Sequence, residues 1–230
     1  MAQVTHVGVR RTTVDDIYDY LYDEISSLRL RPGDKISEAD IATKFGVSRQ
    51  PVRDAFNRLA TQDLLLIRPQ RATEVKRFSM REIVKSRFVR AAVEKEVLQR
   101  AAELCDNDGA AQLDQALGLQ EQAMRDQDLG RFGPLDYDFH KRLCQIARAD
   151  FAFDVVIAEK SKVDRLCTLS LSKGDRIPEL VEDHRAIATA VKNHDPEAAV
   201  KAGMFHLSRL DKTIDQISAT NANYFMPENS

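Results

Sequence analysis

Gly46-Val47-Ser48-Arg49-Gln50-Pro51-Val52-Arg53-Asp54-Ala55-Phe56-Asn57 is the stretch from which the fold can be read. Gly46 suits the left-handed end of one helix, Ser48 the cap of the next, and Pro51 a first turn, where a missing N–H costs little. Val52, Ala55, Phe56 and Leu59 then recur as one apolar stripe. Arg49, Arg53 and Asn57 stand at i, i+4 and i+8 on another face. Two guanidiniums and an amide in line near a helix start are what a recognition helix needs in a major groove, where arginine reads guanine O6 and N7 in a bidentate way and the helix start approaches phosphate. The same triplet would also suit a solvated surface helix, so its flanks decide.

Upstream, residues 13–28 carry Ile17, Leu21, Ile25 and Leu28 at helical spacing, with Asp15 and Asp16 at the positive end of the helix dipole. Arg31-Pro32-Gly33-Asp34 is turn chemistry. Ser37 precedes a short helix over about residues 38–45 with an acid three residues on. Downstream, Leu64–Ile67 reads as a strand, Pro69-Gln70-Arg71-Ala72 as a turn with a basic tip, and Thr73–Lys76 as an alternating second strand. Helix, helix, helix and hairpin make a winged helix-turn-helix, with Arg68 and Arg71 on the wing facing phosphate or the minor groove.

The chain of 230 residues has room for two domains, and 43% hydrophobic residues suffice for real cores. No apolar run reaches the ~18 residues of a membrane span. The first residues lack the apolar core of a secretory signal, so none is expected. Cys105, Cys144 and Cys167 are widely spaced, without a CxxC pair, which argues against a disulfide framework or cysteine metal site and fits core positions in a reducing cytoplasm. The formal charge of −2 hides a slightly basic head and an acidic remainder.

Beyond residue 78 the pattern turns wholly helical. Ser79-Met80-Arg81-Glu82 is a capping box opening a helix to about residue 105. Gly109, residues 128–133, Ala149-Asp150, residues 172–175 and residues 193–195 are read as breaks. Asp195-Pro196-Glu197 opens a last helix to about Ile217. The remaining NANYFMPENS reads as a loose tail. The expected fold is mainly α: a winged helix-turn-helix of three helices plus a β-hairpin over residues 1–78, then an antiparallel all-α bundle of five or six helices over residues 79–230.

In that bundle Asp136 and His140 share one helix face, while His184 and His206 fall on later helices. A bundle can aim four such side chains inward, and imidazole with carboxylate suits zinc, nickel, manganese or iron. Each histidine alone would serve equally as a hydrogen-bonded or surface residue.

From Arg31 to Val75 the chain resembles the GntR family: the PGD turn, an acid before a short helix, and GVSRQPVRDA all match. The resemblance implies that Ser48, Arg49, Gln50 and Arg53 touch DNA. Asp63 and Ala72 depart from it, standing where the family has glycine. The region after residue 79 resembles the ligand-sensing FCD domain of the FadR-type branch. Its metal-binding members carry D-x3-H followed by two later histidines, here Asp136, His140, His184 and His206. They also carry R-x-x-aliphatic-E, here Arg90 to Glu94. The resemblance implies a divalent metal, zinc first, and a small carboxylate effector held by Arg90, unless Glu94 simply pairs with that arginine. Arg165 is a second pocket candidate. It further implies a cytoplasmic homodimeric transcriptional regulator on a pseudo-palindromic double-stranded operator, a repressor released by its effector, with no enzymatic activity. Two alternatives are a metal-dependent hydrolase and a structural metal bundle behind a DNA-binding head. HExxH, a Ser-His-Asp order and a glycine-rich phosphate loop are all absent, which weighs against the hydrolase.

Overall fold

The computed structural model describes residues 11–167 and 173–227. Its backbone contacts fall into two compact units, divided at Phe78 and Ser79, with the segment from Asn223 onward joining the first.

The first unit opens with α1 (Thr13–Ser26), whose start is a capping box between Thr12 and Asp15. Then come β1 (Lys35–Ile36), α2 (Glu38–Phe45), α3 (Arg49–Thr61), β2 (Leu65–Leu66) and β3 (Thr73–Val75). Ser37 caps α2 by accepting from the N–H groups of Ala39 and Asp40, and Gly46 ends it at φ 65°. Ser48 flanks α3 but makes no side-chain cap bond. The strands form an antiparallel sheet in the order β1-β3-β2, with Ile36 opposite Thr73 and Leu65 opposite Val75. Ile17, Leu21, Ile25, Val52, Ala55, Phe56, Leu59 and Val75 form one core. Asp63 adopts the left-handed conformation, φ 63°, where the family has glycine. At the wing the left-handed residue is Gln70, φ 56°, not Ala72, so an alanine at 72 strains nothing.

Within the tail read as loose, residues 224–226 are instead packed. The Phe78 N–H donates to the Tyr224 carbonyl at 2.9 Å, and the Met226 N–H to the Phe78 carbonyl at 2.7 Å. The Phe78 and Phe225 rings meet at 5.6 Å. Two buried phenylalanines give the segment the apolar anchor that its polar composition conceals.

The second unit holds α4 (Met80–Leu104), α5 (Asn107–Arg125), α6 (Leu129–Ile146), α7 (Asp150–Cys167), α8 (Lys173–Lys192) and α9 (Pro196–Thr220). Gly109 does not break a helix. It lies in the first turn of α5, where its N–H is held by the Asp106 cap at 2.8 Å. Gly133 and Pro134 lie inside α6, because the Asp128 cap starts that helix earlier than the proline suggests. Val97, Leu98, Leu113, Phe139, Leu143, Ile187 and Val191 build the main core, with Cys105 and Cys144 buried in it. The side chain of Cys167 lies outside the described residues. Among the described residues no helix is long and apolar enough to cross a membrane.

Gly203 brings α9 close to α4: a Cβ there would meet Leu98 Cδ1 at 2.1 Å. His206 sits on the next turn of α9. Gly203→Ala should therefore lower stability by about 1–3 kcal/mol, the usual cost of overpacking a core. Urea unfolding measures it. An unchanged midpoint would mean that Leu98 yields without strain.

Candidate metal centre and nucleic-acid face

Three of the four side chains singled out as ligands converge. His140 from α6, His184 from α8 and His206 from α9 are all buried, and one ligand atom from each lies within 4.8 Å of the others. Helix register explains the meeting. His140 follows the fully buried Phe139, His184 stacks on that ring at 4.3 Å, and the close approach at Gly203 seats α9 one turn before His206.

Each imidazole has its Nδ1 turned to a neighbour. His140 Nδ1 is 3.2 Å from Glu94 Oε2, and His184 Nδ1 is 2.8 Å from Gln120 Oε1. His206 Nδ1 is 3.5 Å from Asp183 Oδ2, beyond a good hydrogen bond. Gln120, in turn, is oriented by donating to the Leu135 carbonyl at 3.1 Å. A partner on Nδ1 leaves Nε2 for a metal, which is how supporting groups fix a ligating histidine. Nε2 of His140 and of His184 are indeed buried with no hydrogen-bond partner. Buried polar atoms rarely stay unsatisfied without a reason, and a divalent ion would satisfy both. The donor set therefore fits a metal.

Asp136 stands beside the triad rather than in it. One oxygen is 3.6 Å from His184 Nε2, while the other is paired with Lys160 Nζ at 2.9 Å. Arg90 is buried and donates to Glu94 Oε1 at 2.8 Å, so Glu94 joins the arginine to His140. Arg165 is half-buried in the last turn of α7. Burial would raise the carboxyls of Glu94 and Asp136, but Arg90 with His140, and Lys160 with His184, hold them well below their usual range. Asp183 is likewise held low against its burial by His206 and Arg209. Gln120, Asp183 and Lys160 carried no functional reading in the sequence, since nothing local to them signals a role.

Burial, with His206 nearby, pushes His184 well below its ordinary pKa, and burial also lowers His206 although Asp183 opposes it. The sign follows by linkage. A depressed imidazole takes up a proton in the unfolded chain before it does so in the fold. The stability it protects is complete above the unfolded value of about 6.5 and declines as pH falls below it. The depressed carboxylates act only near and below pH ~4. In excess chelator the unfolding midpoint should fall between pH 7 and pH 5.5, and His184→Gln should flatten the fall. A midpoint constant over that range contradicts neutral buried imidazoles.

On the first unit, Ser48, Arg49, Gln50, Arg53 and Asn57 are all exposed along α3. Arg53 pairs with Glu38 at 3.1 Å and Gln50 donates to Asp54 at 3.0 Å. Arg68 is half-buried and pairs with Glu74 at 3.0 Å, whereas Arg71 is exposed at the wing turn. Arg71 thus presents a wing cation to solvent, and Arg68 buttresses the sheet.

Comparison with known proteins is consistent along the whole chain. Residues 8–75 match the family described as bacterial regulatory proteins, gntR family, and residues 86–209 match the FCD domain. The HTH-type transcriptional repressor RspR of Escherichia coli (strain K12) is 33% identical over 228 residues, covering 99% of this chain and 100% of that protein. A GntR transcriptional regulator from Rhodococcus sp. RHA1 shares the fold with a TM-score of 0.66 at 21% identity, over 90% of this chain and 97% of the other. E. coli McbR/YncC does so with a TM-score of 0.65 at 18% identity, over 90% of this chain and 99% of the other. The matched gntR family is one of bacterial regulatory proteins and RspR is a transcriptional repressor, which favours a regulator over the hydrolase alternative.

Proposed function

The chain belongs to the GntR family of bacterial regulatory proteins, and from that premise we propose that it is a metal-containing repressor released from its operator by a small carboxylate. The observation that carries the metal is the pair of buried, unpartnered Nε2 atoms of His140 and His184. Asp136, His140, His184 and His206 would hold a divalent ion, zinc first, with nickel, manganese or iron as alternatives. Bound there, such an ion supplies a Lewis-acidic anchor for an anion. Arg90, buried and already linked to His140 through Glu94, is the guanidinium placed to share that carboxylate, and Arg165 is the second candidate. In this reading residues 1–78 read DNA and residues 79–230 sense, except that residues 223–227 pack in the first unit.

A homodimer is supported by exposed apolar side chains on two helices that pack together: Val84 and Phe88 on α4, Phe151 and Val155 on α7. Two copies of α3 would read a pseudo-palindromic operator, since protein symmetry is mirrored in the site. Because α4 begins at Met80, two residues after Phe78, a displacement of α4 reaches the head through a very short connection. The effector needs only a differential affinity for the two arrangements.

The test is selection of sheared genomic DNA by the zinc-loaded protein, followed by sequencing. One enriched short palindrome supports the reading, and genes beside it point to the effector. No enrichment with or without zinc or nickel overturns autonomous operator reading.

A further inference from the structure

The three imidazoles of the triad are not equally supported. Glu94 Oε2 stands 3.2 Å from His140 Nδ1, and Gln120 Oε1 stands 2.8 Å from His184 Nδ1. His206 Nδ1 is buried with no hydrogen-bond partner, and the carboxylate oxygen that faces it, Asp183 Oδ2, stops at 3.5 Å. An imidazole that gives Nε2 to a metal carries its proton on Nδ1 and donates it to a carboxylate, carbonyl or water. For His206 that acceptor is present but engaged. Arg209 Nε donates to Asp183 Oδ2 at 2.6 Å and Arg209 Nη2 to Oδ1 at 3.0 Å, so both oxygens are held in a two-pronged pair.

Helix register makes this a shared arrangement. Asp183 directly precedes His184 on α8, and Arg209 follows His206 by three residues on α9, where the two share a face. The two members of the ion pair differ in what they can do apart. Arg209 is 28% exposed, has Glu179 at 3.3 Å and lies over the exposed Phe205 ring at 4.7 Å, so its guanidinium stays solvated and partnered without Asp183. Asp183 is 5% exposed, and a buried carboxylate that loses one donor must take another. Among the described residues that other donor is His206.

We propose that Asp183 is a positioning residue for His206 as a metal ligand, and that Arg209 sets its strength by drawing the carboxylate off Nδ1. Asp183 acts through His206 and does not itself hold the ion. Arg209 acts through Asp183 and keeps the metal affinity below what the three imidazoles could reach. The inference rests on the metal reading above and adds two residues that tune that site.

The experiment is a double-mutant cycle on the full-length protein: Asp183→Asn, Arg209→Met and the two together. Nickel affinity is measured by competition with a chromophoric chelator, and urea unfolding in excess chelator follows the fold of each variant. Asp183→Asn should bind nickel roughly tenfold or more weakly, the usual loss when a supporting carboxylate goes. Arg209→Met should bind it at least about threefold more tightly, because the carboxylate is released to His206. In the Asp183→Asn background Arg209→Met should add nothing. An ion pair that merely joins α8 to α9 gives a different pattern, in which both single variants unfold earlier and neither changes nickel affinity. That pattern overturns the proposal, as does a weaker affinity in Arg209→Met. So does a gain from Arg209→Met that persists with Asp183→Asn, since the arginine would then repel the ion directly through space. Should Asp183→Asn fail to fold, Arg209→Met decides alone, a gain supporting the proposal and no gain overturning it. His184→Ala separates the two readings. Wild-type nickel uptake that is lost in His184→Ala, with Asp183→Asn and Arg209→Met behaving as wild type, removes only the roles of Asp183 and Arg209. No uptake by the wild type, or equal uptake by His184→Ala, removes the metal reading and this inference together.

Discussion

His184→Ala should lose most of the bound metal, with affinity falling by at least roughly 100-fold, because even groups that merely support a ligand are commonly worth 10–100-fold. His184 is fully buried, and its Nε2 faces the triad while Gln120 holds Nδ1 at 2.8 Å. The substitution also deletes a ring stacked on Phe139 at 4.3 Å. A cavity of that kind costs about 2–4 kcal/mol, so the sensing unit should be weakened as well as emptied. Gln120→Leu separates these effects. It keeps the imidazole and the packing volume but removes the acceptor that fixes the ring, and should cost about 10–100-fold in affinity. Metal per chain, measured by elemental mass spectrometry after gel filtration, checks both. The winged helix is a separate compact unit, so both variants should still bind the operator while losing their response to the carboxylate effector. Wild-type metal content in His184→Ala would place the site elsewhere.

What the sequence disclosed about this centre, and what it withheld, divides along one physical line. The spacing of Asp136 and His140 puts them on one helix face, and the histidines of α8 and α9 are visible as residues of the right kind. Their convergence within 4.8 Å depends on how the helices pack, which only the likeness to a known domain supplied. Gln120 looks like any polar residue of α5, and acquires a role only when α5 lies against α8. Lys160 has the same history: a lysine in a charged helix reads as solvated until Asp136 is found beneath it.

The fold shows the same division. Gly46 and the Ser37 cap were legible because each acts within a few residues. Strand β1 was not, since two residues cannot show alternation and Lys35–Ile36 becomes a strand only by pairing with β3. The stretch read as a break, residues 128–133, misled because Gly130 and Gly133 stand in it, and the residue after it is Pro134. Six residues into α6 that proline removes one backbone bond from a helix already nucleated by the Asp128 cap. The tail misled for the opposite reason, since its anchoring to Phe78, through Phe225 and two backbone hydrogen bonds, joins residues far apart in sequence.

Arg49→Ala should weaken operator binding by about 1–3 kcal/mol and relax the preference at one base pair in each half-site. Arg49 is exposed at the first position of α3, and no ion pair among the described residues holds it back. Its neighbours are less available. Arg53 is engaged by Glu38 at 3.1 Å and must be shared or released before it meets a base, and Gln50 leans on Asp54. That makes Arg49 the side chain whose loss most directly removes base readout. Arg71→Ala provides the contrast, because Arg71 is an exposed wing cation and its proposed partner is phosphate. Its loss should weaken binding evenly across sequences and reduce the slope of log affinity against log salt by about one. Fluorescence anisotropy with the selected operator and its single-base variants, over a salt series, distinguishes the two patterns. If Arg49→Ala lowers all sequences equally and flattens the salt slope, Arg49 is a phosphate contact. Reading would then fall to Arg53, whose release from Glu38 would have to accompany binding, and Glu38→Gln should in that case raise operator affinity.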